Sequence, residues 1–200
     1  MNYPQIRDSL RTGDMVICEP YHWFWNKIGH TAGVHVSQET GVVSAFESTS
    51  VSKLTGVKGV QLNPMGAWVE AYPGKVGIRR LAIKDLMTSK SAIEARAERF
   101  IRDTRGTSYP DIKQRAGRWY LIKAAWDGIL LKKLSENTET DRWIFCTDLM
   151  ARWYRAMGLI LQEVNCAEMQ PDDMYEGGFF DTHLGLCGIA ELSEIIWIKE

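Results

Sequence analysis

The chain has 200 residues, 45% of them hydrophobic and 24% charged, with 24 Lys and Arg against 25 Asp and Glu. That length and composition predict a single globular domain over residues 1–200, and a formal charge of −1 leaves no global basic field to attract nucleic acid. Met1 to Asp8 shows no signal-peptide or lipidation pattern, and the most apolar stretch, Trp119 to Leu131, is broken by Lys123 and Asp127 and is too short for a transmembrane segment.

In chain order, residues 14–18 read as a short strand entered through the turn Thr12-Gly13-Asp14. An aromatic loop, Tyr21-His22-Trp23-Phe24-Trp25, follows. Residues 30–36 and 41–47 are rich in β-formers and flank the polar turn Ser37 to Thr40, which predicts an antiparallel hairpin. Residues 59–63 and 75–82 are further strands. From Ser89 the period changes to that of a helix, with Ile93, Ala97, Phe100 and Ile101 on one stripe ending before Gly106. A second helix is expected over Gln114 to Leu134, then a polar loop over 135–141. Pro171 to Met174 reads as a helix start and residues 195–198 as a last strand. Strands followed by helices without regular alternation predict an α+β domain.

The chemistry concentrates at Cys146. The apolar run Trp143-Ile144-Phe145 stops there, and Leu149, Met150, Trp153 and Met157 then recur at helical spacing, with Arg152 and Arg155 off the stripe and Gly158 as a stop signal. A thiol at a helix N-terminus meets unpaired N–H groups and the positive end of the macrodipole, which favour thiolate over a thiol of ordinary pKa about 8.5. The competing reading is a buried structural cysteine. The four cysteines, Cys18, Cys146, Cys166 and Cys187, are spread singly without a C-x-x-C pair, which points to reduced thiols and a cytoplasmic setting.

A cysteine nucleophile needs a base, and the base a polar group that orients it. With the hairpin turn centred near residues 38 and 39, His30 falls opposite Glu47 and a carboxylate steadies the imidazole. His35 is the competing base. It has opposite parity to His30, so the two cannot share one strand face without a bulge.

These segments resemble, in order, those of the circularly permuted papain-like cysteine hydrolases, relatives of NlpC-type peptidases and of lecithin retinol acyltransferase. Leu10-Arg-Thr-Gly-Asp-Met-Val16 resembles the opening "GD" strand and Gly29-His30-Thr-Ala-Gly-Val34 the His-bearing strand. Phe46-Glu47-Ser48 with Gly56-Val57 resembles the next strand, Gly106-Thr-Ser-Tyr109-Pro-Asp111 the "G-x-x-Y-D" element, and Phe145-Cys146-Thr147-Asp148-Leu149 the start of the Cys helix. Two departures stand out: one extra residue between His30 and Gly33, which keeps His35 open as the base, and Thr147-Asp148 in place of Ser-Glu.

The resemblance implies a permuted papain-like, NlpC-type fold with an antiparallel sheet against helices. It implies Cys146 as nucleophile, His30 as base, Glu47 as the third member, and Tyr109 as an oxyanion donor beside the Cys146 N–H. The expected activity is thiol-dependent hydrolysis of an amide or peptide bond in a small-molecule or peptide substrate. Lipid acyl hydrolysis or transfer on the same triad is the alternative, and a non-catalytic module binding a peptide, glycan or lipid is the reading from another class. The segment Trp23-Phe24-Trp25 is expected either to line the substrate groove or to pack in the core. No cofactor is expected. His22, His30, His35, Glu47 and His183 show no metal-ligand spacing, so no catalytic metal is expected either.

Overall fold

The computed structural model describes residues 1–19, 29–52, 54–84, 89–109, 142, 144–169 and 171–199. The elements run α1 (Tyr3–Ile6), β1 (Met15–Glu19), β2 (His30–Val36), β3 (Val43–Thr49), β4 (Gly59–Pro64), α2 (Met65–Ala71), β5 (Lys75–Arg79) and β6 (Leu81–Ile83). They continue with α3 (Lys90–Thr104), α4 (Cys146–Met157), α5 (Phe179–Cys187), β7 (Ala190–Leu192) and β8 (Ile196–Lys199). Six strands form an antiparallel sheet in the order β4-β3-β2-β1-β5-β8, and β6 pairs with β7 apart from it. This is an α+β architecture with an antiparallel sheet packed against helices.

The sheet is covered on both faces, and the two-residue period of the strands sorts its side chains. Met15, Ile17 and Phe46 pack with Ile93 and Ala97 of α3 and Leu149 and Trp153 of α4. Val16, Cys18, Ala32, Val34 and Ala45 pack with Met65, Trp68 and Val69 of α2. Burial on both sides is why β1 reads as a continuous apolar run rather than an alternating one.

Two motif residues acquire physical reasons. Gly33 lies where β2 passes under α4: a Cβ there would overlap the Trp153 ring, which packs edge-on to Phe46 at 5.4 Å. Gly13 adopts φ +99°, and the buried Asp14 beside it accepts the N–H groups of Arg11 and Leu81, each at 2.9 Å, tying the entry of β1 to the start of β6.

The structure departs from the sequence reading in several places. The strand expected over 75–82 divides after Arg79, whose buried guanidinium donates to the carbonyls of Ser193 and Met174 and to Asp181. The chain then turns so that Leu81–Ile83 joins the second sheet. Pro171–Met174 forms a 3-10 turn, and the helix begins only at Phe179. Arg152, off the apolar stripe, is nevertheless buried because Asp148 one turn earlier accepts its Nε at 2.7 Å. The short α1, α2 and α5 carry too few turns to show a period. The helix expected over Gln114 to Leu134, the loop 135–141 and the aromatic segment Tyr21 to Trp25 lie outside the described residues. Among the described residues no helix is long and apolar enough to cross a membrane.

Candidate active site

Cys146 opens α4, and the chain before it is anchored on three sides. The Ile144 N–H donates to the Ser108 carbonyl at 3.1 Å, the Ile144 carbonyl accepts the Ser48 hydroxyl, and Phe145 meets Tyr109 edge-on at 5.6 Å. On the far side the Thr147 hydroxyl donates to the Met169 carbonyl at 2.8 Å. Phe145 is the N-cap and supplies no side-chain acceptor, so the first-turn amides of α4 are not capped by its side chain.

His30 begins β2 and pairs with Cys18 of β1 on the face that carries α2. Its Nε2 meets Glu47 Oε2 at 2.8 Å, and its ring is also hydrogen-bonded to Cys146. With Nε2 taken by the carboxylate, Nδ1 is the nitrogen left for the thiol.

The hairpin register differs from the expected one by two residues. Gly33, not His30's expected level, fixes the pairing: it stands opposite Phe46, and His35 opposite Ser44, which by continuation sets Ala32 opposite Glu47. A two-residue displacement preserves the faces. Glu47 therefore reaches His30 diagonally, within the range of a long side chain.

His35 points to the other face, where its Nε2 meets Glu98 Oε1 of α3 at 2.8 Å. The parity argument thus separates the two histidines: one beside Cys146, the other joining β2 to α3.

Sequence reading missed the next layer. Asn63 of β4 is 1% exposed and donates its Nδ2 to Glu47 Oε1 at 2.7 Å. With both oxygens bound, the Glu47 carboxylate is fixed although only 3% exposed. Trp68 of α2 and Tyr72 just after it lie against the His30 ring, with centroids at 6.2 and 6.4 Å, and Tyr72 is nearly parallel to it at 16°. The available signals were slight: Asn63 shares the parity of Gln61 on a strand whose partner carries Glu47, and Trp68 and Tyr72 stand four residues apart.

Electrostatics follow from this packing. Burial alone would push the His30 imidazole pKa down, but the hydrogen bonds to Cys146 and Glu47 and their charges outweigh it and raise the value to about 10. Burial would likewise raise the Cys146 thiol. The His30 hydrogen bond and charge, then backbone bonds from Thr31 and Thr147, reverse this and hold it below its ordinary value. Both shifts favour the thiolate–imidazolium form of the pair over the thiol–imidazole form. Cys18, fully buried nearby, is pushed the other way, chiefly by desolvation and then by the charges of Glu47 and Cys146.

Cys146, His30, Glu47 and Tyr109 line one cavity of about 430 Å³, bordered by the β3–β4 loop and the end of α2. All four predicted site residues therefore meet in one place. His22 lies outside the described residues, and His183 stacks on Phe179 of α5. Among the described residues no group of three His, Cys, Asp or Glu side chains is arranged to hold a metal ion.

No family model matches this sequence, and no curated protein does. Among solved structures the chain is similar to the metalloprotein yiiX of Escherichia coli O157:H7, a DUF1105 protein, at 14% identity over 95% of this chain and 97% of that one, with a TM-score of 0.46. A likeness of that strength carries no conclusion about what this chain does.

Proposed function

We propose that this chain is a cysteine hydrolase with a permuted papain-like, NlpC-type fold, cleaving an amide or peptide bond through Cys146 with His30 as base and Glu47 as its orienting group. The observation that carries the reading is the position of His30, bound on one side to a helix-start thiol and on the other to a buried carboxylate. The Cys146 thiolate attacks the carbonyl carbon, and the oxygen takes up negative charge. The Cys146 N–H and the Tyr109 hydroxyl serve as its donors. As the C–N bond breaks, the His30 imidazolium gives its proton to the departing amine, leaving a Cys146 thioester. Water then attacks that thioester, His30 takes the water proton, and the acid leaves as the thiol is restored.

The test is a panel of peptidyl, muropeptide and fatty-acyl electrophiles read by mass shift at Cys146. Labelling that exceeds Cys18 and Cys166 and is lost in His30→Ala supports the reading. Equal labelling of all thiols, with no hydrolytic activity that depends on Cys146, overturns it.

A further inference from the structure

We infer that the cavity beside Cys146 is the pocket for the acyl side of the substrate, and that it selects an uncharged, apolar acyl group through Val51 and Leu54 of the β3–β4 loop. This deepens the hydrolase reading and rests on it. Three exposed apolar side chains fall within seven residues of that loop: Val51 at 48%, Leu54 at 39% and Val57 at 54%. Single exposed aliphatics are ordinary, as with Val42 and Leu161 elsewhere. Two of the three, Val51 and Leu54, line the cavity that holds the Cys146 nucleophile, which is the pattern of a binding wall.

Hydrogen bonds among the described residues of the loop hold Ser52 and residues 54–57 in place. The Ser52 N–H donates to the Val57 carbonyl at 2.9 Å and the Gly56 N–H to the Ser52 carbonyl at 2.8 Å. The buried Ser52 hydroxyl accepts the N–H groups of Leu54 and Thr55. Gln61 of β4 clamps the loop from below, donating to the Val57 carbonyl and accepting the Thr55 hydroxyl. Val51 and Leu54 line the cavity together with Trp68, Tyr72 and Pro73 at the end of α2, with Cys146 in the same wall. An acyl chain extending from the Cys146 thioester would thus meet Val51 and Leu54 on one side and Trp68, Tyr72 and Pro73 on the other, within a wall that also carries the hydroxyls of Thr49, Ser50 and Ser52. The carboxylate in that wall, Glu47, already has both oxygens bound, to His30 and Asn63, so it is not offered to a cationic substrate group.

The experiment measures the acylation burst with p-nitrophenyl acetate, hexanoate, phenylacetate and the singly charged adipate half-ester, each rate divided by that of the same ester with N-acetylcysteine. The hexanoate or phenylacetate ester should exceed both the acetate and the adipate by about tenfold or more, the scale on which an apolar pocket discriminates. Hexanoate leading assigns a linear acyl chain, phenylacetate leading a bulky one such as an apolar aminoacyl group. Leu54→Asp and Val51→Asp should collapse that preference, whereas Leu161→Asp, at a comparably exposed site away from the cavity, should keep it. Because both loop positions are already half exposed, these variants put no charge into the core. A Cys146-dependent burst without the preference, or a preference that survives both loop variants, overturns the pocket while leaving the hydrolase standing. No Cys146-dependent burst with any ester overturns both.

Discussion

Glu47→Gln isolates the charge on the orienting group from its shape. The change keeps the side-chain volume at a 3% exposed position and still offers His30 an oxygen. The packing can absorb the new amide, because Asn63 Oδ1 is buried and has no partner; turning the Asn63 amide over presents that oxygen to the introduced NH2. What is lost is the charge assistance in the 2.8 Å contact to His30. A charge-assisted hydrogen bond is about twice as strong as a neutral one, so the loss is about 1–2 kcal/mol. By the tenfold-per-1.36 kcal/mol rule, this moves the balance between thiolate–imidazolium and thiol–imidazole about 5–30-fold toward the uncharged pair. In the parent chain the His30 imidazolium, with its pKa raised to about 10, is lost only as pH rises through that value. The Cys146 thiolate, with its pKa lowered, is lost only as pH falls through its depressed value. Both shifts therefore widen the pH range in which the charged pair is favoured. The assay is the rate of iodoacetamide alkylation at Cys146 from pH 5 to pH 10.5, read by mass spectrometry. The variant should be slower near neutrality and approach the parent rate at the alkaline end, where the thiolate forms without its partner. An unchanged rate at neutral pH, or one reduced equally at every pH, would refute the reasoning.

His35→Ala should leave Cys146 alkylation as it is but lower unfolding free energy by about 1–3 kcal/mol, because it removes a buried ring and its bond to Glu98; urea unfolding measures the loss, and slowed alkylation would make His35 the base. Tyr72→Leu takes away the ring stacked on the imidazolium, and by the usual strength of such contacts, about 0.5–2 kcal/mol, should slow neutral-pH alkylation about 2–30-fold. Tyr109→Phe should reduce turnover about 100-fold or more if its hydroxyl is an oxyanion donor, with the melting temperature kept; an undiminished kcat removes Tyr109 from that role. Gly33→Ala forces a methyl group into the Trp153 ring and should cost about 1–3 kcal/mol of stability, visible as a lower urea midpoint.

How much of this was legible in the sequence depended on the range of the interaction. The Cys146 helix could be read because its apolar stripe, its unobstructed start and the left-handed Gly158 at its end are all local. His30 and Glu47 could be placed on one face because strand parity survives a register error of two residues; their diagonal contact could not, since it depends on where the turn centres. The separation of His30 from His35 followed from parity, but the partner of His35, Glu98, lies 63 positions away on α3 and left no local trace. Asn63, Trp68 and Tyr72 left only slight local signals for the same reason. Each is an unremarkable polar or aromatic residue until the β3–β4 pairing and the short α2 bring it to His30.

The central claim is that Cys146 is a thiolate held by His30 at neutral pH. It is tested most directly by the pH dependence of the thiolate ultraviolet absorbance, taken as the difference between the parent chain and Cys146→Ser. The account predicts a difference already present at neutral pH, which His30→Ala abolishes there. A difference that develops only above the ordinary thiol pKa of about 8.5, and that is indifferent to His30, would contradict it.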